Sequence, residues 1–175
     1  MAEIGAIADP GPRRRYSQRP FPAYRYVPGV LPHPIRDPAG HSYGAAPARA
    51  GAVWRPEDWR SLDDWLYGVD LFNGHYFWEA HEAWEGLWSV QPRASTPALF
   101  VQGLIQIAAA LLKVHLRNAE GVRALSREGL AKLRRVAAAS PSMMGLDLNA
   151  AIAALEPYFA DAAELADAPT LILVF

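Results

Sequence analysis

Phe72-Asn73-Gly74-His75-Tyr76-Phe77-Trp78-Glu79-Ala80-His81-Glu82-Ala83-Trp84-Glu85-Gly86-Leu87-Trp88 is the stretch on which the fold turns. Asn73-Gly74 divides two helical patterns. Before it, Leu62, Trp65, Leu66, Val69 and Phe72 keep one apolar face, and a glycine is the usual residue to end such a helix. After it, a second helix runs from Tyr76 to about Ser89 and stops before Gln91-Pro92. Two helices joined by so few residues fold back on each other. The same segment carries Glu79, His81, Glu82 and Glu85 among its indole rings, where a carboxylate must be paired, protonated or bound to a cation.

The helical period continues on both sides. Pro56-Glu57-Asp58 reads as a first turn, and Ser61-Leu62-Asp63-Asp64 as a second start. Thr96-Pro97 opens a third helix that carries Leu99, Val101, Leu104, Ile105, Ala108, Leu111, Leu112 and Leu116. Asn118 caps a fourth, Ala119 to about Ala139, with Val122, Leu125, Leu130, Leu133 and Val136 inward. Asn149 is expected to cap two further turns to about Leu155, where Pro157 kinks or restarts the helix toward Leu165. The fold class is therefore all-α, a compact antiparallel bundle of about five helices. Thr170-Leu171-Ile172-Leu173-Val174-Phe175 is too apolar for a free end and is expected to lie extended in a groove of the bundle.

The division expected is an extended Pro/Arg-rich arm over 1–52 and a single helical domain over 53–175. The arm holds seven arginines against Glu3, Asp9 and Asp37, a balance of +4 that leaves -5 on the body. Its nine prolines forbid a regular helix. Phe21, Tyr24, Tyr26, Val30 and Leu31 are too apolar for a solvated linker, so the arm should follow a fixed path on the acidic body from about Phe21 to Tyr43. The chain of 175 residues suffices for one core, and the lack of cysteine excludes disulfides and thiolate chemistry. The first residues lack the apolar run of a secretory signal, and no apolar stretch approaches the roughly 20 residues of a membrane span. A soluble, cytoplasmic protein without a membrane partner is the expectation.

Three motifs occur in order: Phe72-Asn-Gly-x-Tyr-Phe-x-Glu-Ala-His-Glu-x-Trp-Glu-x-x-Trp88, Phe100-x-Gln-Gly-Leu-Ile-Gln106 and Asn118-x-x-Gly121. Over roughly residues 62 to 135 the chain resembles the all-α family catalogued as domain of unknown function 309. The resemblance implies a compact helical bundle and no particular activity. Trp78 stands where that family would show a small or acidic residue, and the arm lies outside the shared domain.

A step of 100° per residue sets His81 within about 40° of Phe77, Trp84 and Trp88, which predicts a buried histidine with the glutamates along the stripe's edge. On the third helix Gln102, Gln106 and Lys113 share a face, with Ala109 and Ala110 between them to admit a neighbouring helix. The expected pocket sets this face against the glutamate band, comprising Glu79, His81, Glu82, Trp84, Glu85, Trp88, Gln102, Gln106 and Lys113. The leading reading is a structural polar network in a binding or interaction domain, whose partner is a small molecule, another protein or a second copy. A second reading is a divalent-metal site or metal-dependent hydrolase, with Glu79, His81, Glu82 and Glu85 as ligands and His33, Asp37 and His41 as arm candidates. His81-Glu82-Ala83-Trp84-Glu85 has zincin spacing, but Glu85 replaces the second histidine. A third reading is nucleic-acid binding through Arg13, Arg14, Arg15, Arg19 and Arg25 with Tyr16, Phe21, Tyr24 and Tyr26. The absence of a basic surface disfavours it.

Overall fold

The computed structural model describes residues 4–45, 52–160 and 165–175. Glu3, Pro47 and Arg49 of the arm, and residues 161–164 before Leu165, lie outside the described residues. After a 3-10 turn at Pro56–Ser61 come five α-helices: α1 (Asp63–Asn73), α2 (Phe77–Ser89), α3 (Thr96–His115), α4 (Ala119–Ala139) and α5 (Leu148–Ala160). Each packs on the next across a short connection, except that a small hairpin separates α4 from α5. Two caps differ from those read off the sequence or refine them. Ser95 Oγ accepts from Ala98 N at 3.3 Å at the start of α3, and Asp147 Oδ1, not Asn149, accepts from Ala150 N at 3.0 Å in α5. Pro157 does not end α5: Ala153 and Pro157 both face solvent, so the carbonyl left without its N–H partner lies on the open side of the helix.

At the centre lies α3, whose buried Phe100, Val101, Leu104, Ile107, Ala108 and Leu111 meet α2 on one side and α4 on the other. Gly103 and Gly129 let α3 and α4 close: a Cβ on Gly129 would lie 2.9 Å from the Gly103 carbonyl oxygen. Contrary to the sequence reading, α3 is by length and composition apolar enough to cross a membrane. Its apolar faces are those that α2 and α4 cover.

Ser142–Met143 and Leu146–Asp147 pair as a two-stranded hairpin that periodicity did not reveal. Met144 and Gly145 both have positive φ (49° and 78°), as the tightest hairpin turn requires, and a Cβ on Gly145 would meet the Trp59 ring at 2.6 Å. The C-terminal residues extend this hairpin through a Leu146–Leu173 bridge. Only one side of the tail is covered, since Leu171 and Leu173 are buried while Ile172, Val174 and Phe175 are exposed. Extended chain alternates its side chains, and here one set faces the hairpin and bundle while the other faces out.

Asn73 anchors the tail: its Nδ2 donates to the Leu171 carbonyl at 2.8 Å, and its Oδ1 accepts from Leu171 N at 2.7 Å, all of it buried. Asn73→Ala strands both groups of Leu171 and is expected to reduce stability by about 2 to 3 kcal/mol, measured as a lower urea midpoint.

Candidate functional site

Helix α2 is buried on two opposite faces. Phe77, Ala80, Trp84 and Leu87 face the bundle, where Trp84 lies against Trp65, Phe72 and the bare Cα of Gly68. Glu79 is about 200° around the helix from Phe77, on what amphipathic patterning would assign to solvent. It is nevertheless 6% exposed, because the arm crosses it. Tyr26 N donates to Glu79 Oε1 at 2.9 Å, and His41 Nε2 lies 3.1 Å from the same oxygen. Glu79 Oε2 is buried with no hydrogen-bond partner. Burial raises the Glu79 pKa, against the opposing pull of hydrogen bonds from its own backbone N–H, His41 and Tyr26. Beside it, Trp78 meets the rings of Tyr26 and His33 edge-on at 5.2 and 5.5 Å. Trp78 and the arm therefore form one contact.

His41 Nδ1 also lies 2.8 Å from Ser42 Oγ, so Ser42, His41 and Glu79 form a hydrogen-bonded chain of the kind that activates a nucleophile. Acyl transfer further requires free N–H donors for an oxyanion. Here His41 N donates to Tyr24 Oη, Ser42 N to the Pro34 carbonyl and Tyr43 N to the Gly40 carbonyl. The chain is thereby a brace of the arm. Ser42, Tyr24 and Tyr26 were not legible as site residues, since the contact joins positions 53 and 38 residues apart with no shared period.

A second buried carboxylate, Asp70 on α1, receives Arg15 Nε at 2.9 Å and the backbone N–H groups of Tyr16 and Ser17 at 2.8 Å each. Arg19 pairs with Asp64 at 2.6 Å, and Arg25 Nε donates to the Gly74 carbonyl at 2.7 Å. The turn between α1 and α2 is closed by Tyr76 N to the Leu71 carbonyl and His75 N to the Phe72 carbonyl, so the left-handed residue is His75 (φ 64°) rather than Gly74. The His75 ring is buried against Phe77 at 5.2 Å.

The remaining predicted residues separate. His81 is not buried: its side chain is 25% exposed at the stripe's edge, with Nε2 3.1 Å from Glu85 Oε1 and Nδ1 3.5 Å from Glu82 Oε1. The stripe is centred toward Ala80, which leaves His81 at the rim. His81, Glu82 and Glu85 each offer one ligand atom within 4.8 Å of the others, and Glu79 is not among them. Burial raises the Glu82 pKa, with His81 opposing and Glu85 reinforcing the rise. The expected pocket between α2 and α3 does not form. Gln106 turns to α4, where its Nε2 donates to Glu128 at 2.8 Å and its Oε1 accepts from Lys132 Nζ at 2.9 Å. Lys113 lines a cavity with Asn118 and Val122 of the α4 start, and Gln102 stays half-buried on α3. Trp88 is half-buried at the other end of α2. Of the arm candidates, His41 reaches Glu79, Asp37 Oδ1 accepts from Ala39 N, and His33 packs on Trp78.

Residues 65–125 match the family described as domain of unknown function, DUF309. The DUF309 resemblance thus spans α1, α2, α3 and the first turns of α4, and includes the acid and tryptophan segment. No curated protein matches the chain.

Burial, with Arg25 and Arg13 nearby, lowers the His75 pKa from 6.5 to about 4. Between these values the unfolded chain binds the proton and the folded chain does not. The stabilisation is thus complete above pH 6.5 and is lost as pH falls toward 4, on the order of 3 kcal/mol in all. His75→Asn, which tolerates the left-handed backbone, is expected to flatten unfolding free energy across that window in denaturant titrations.

Proposed function

We propose that the protein is a binding or interaction domain in which the acid and tryptophan segment is structural, the seat that holds the arm, rather than a catalytic centre. What carries this reading is Glu79: its one bonded oxygen faces a backbone N–H and His41 of the arm, and the N–H groups of His41, Ser42 and Tyr43 are already given to acceptors within the arm. Residues 1–52 and 53–175 are on this view one folding unit, with the arm as a strap over α1 and α2. The strap's arginines support no nucleic-acid reading, as Arg15, Arg19 and Arg25 meet carboxylates of the chain and Arg14 lies over Tyr16.

Glu79→Ala leaves the Tyr26 N–H without an acceptor and is expected to lower unfolding free energy by about 2 to 4 kcal/mol, while a chelator leaves the wild-type midpoint unchanged. An unaltered midpoint in the variant would overturn the structural role.

A second reading has its own observation. The ligand atoms of His81, Glu82 and Glu85 are close enough for one divalent ion, and one nitrogen with two oxygens suits zinc or manganese with water completing the shell. On this reading Glu82→Gln with Glu85→Gln abolishes the heat of zinc binding in calorimetry. Absence of that heat from the wild-type protein removes the reading.

A further inference from the structure

The C-terminal end of α3, the start of α4 and the last turn of α5 enclose a cavity of about 660 Å³. That is the size of a small-molecule site. Its apolar wall includes Val114, Val122, Phe159 and Leu165, and Tyr158 and Phe159 set two rings edge to face at 5.2 Å. At one rim His115 Nε2 lies 2.8 Å from the Gly5 carbonyl, so the beginning of the arm closes that side. Lys113, Arg117 and Arg123 add three positive charges, and no carboxylate belongs to the described lining. None of the three cations makes an ion pair among the described residues.

Helix dipoles do not explain this set. Lys113 lies in the last turn of α3 and Arg117 just past its C-cap, where a cation complements the helix end, but Arg123 stands in the second turn of α4, where no helix end calls for a cation. Arg117 and Arg123 are exposed and Lys113 half-buried, so water screens part of their mutual repulsion; an entering anion would relieve the rest, and the aromatic wall suits whatever carries that charge.

We propose that this cavity binds an organic anion, a phosphate or carboxylate borne on a flat apolar body, with Lys113 and Arg123 holding the anionic group and Phe159 the apolar part. The proposal rests on the binding-domain reading but not on the role of Glu79. It is tested by titrating the full chain with naphthyl phosphate in calorimetry, with naphthol and inorganic phosphate as separate probes. One naphthyl phosphate per chain is expected. Lys113→Ala and Arg123→Ala should each weaken it by about tenfold without moving the thermal midpoint, and naphthol should bind about tenfold less well. Stronger naphthyl than inorganic phosphate binding assigns the apolar wall its part. No binding, or binding unaffected by either variant, overturns the proposal. Binding that appears only in the Asp161→Asn, Glu164→Gln variant also overturns it, since the chain's own carboxylates would then be the counter-charge. Failure here with Glu79→Ala still destabilising would leave the structural role of Glu79 standing.

Discussion

The backbone N–H of an arm residue donating to a buried body carboxylate is the interaction on which the other features depend. An arm so rich in proline forms no helix or ladder, so its remaining N–H groups need acceptors from elsewhere. Asp70 takes those of Tyr16 and Ser17, and Glu79 takes that of Tyr26. In return Asp70 receives donors on both oxygens and Glu79 on one, which offsets much of the cost of burying them. Hydrogen bonds to charged groups contribute roughly 1.5 to 3 kcal/mol, against 0 to 1 for an exposed pair such as Arg19 with Asp64. The buried bonds, more than the surface charges, hold the arm in register.

This constraint accounts for the unusual loading of α2. A helix covered on one side only would place Glu79 and Trp78 in water. With the arm over them, Trp78 gains ring contacts from Tyr26 and His33, and Glu79 becomes a buried acid with an elevated pKa. His81, Glu82 and Glu85 are left at the rim, partly solvated and close enough together for a cation. The segment from Trp78 to Glu85 therefore serves two environments within eight residues.

The helices were legible because their apolar period, proline and asparagine boundaries act locally, and α1 to α4 fall within a residue or so of the expected limits. The site was legible only in composition. Periodicity correctly grouped Gln102, Gln106 and Lys113 on α3, but α3 has two helical neighbours, and nothing local says that Gln106 meets Glu128 and Lys132 rather than Glu82. The helical wheel likewise knows one burying surface, so it put His81 inside and left Glu79 at an edge. Left-handed backbone at His75 and Met144 escaped because glycine stands beside each and is the usual occupant.

Amide hydrogen exchange at Tyr16, Ser17 and Tyr26 tests the central claim most directly. If the arm is held by Asp70 and Glu79 as an integral part of the fold, these amides exchange only through global unfolding, at the free energy of the most protected α3 amides. Exchange at the rate of unstructured chain while α3 remains protected would contradict it, and would make the arm a separate tail on a self-sufficient bundle.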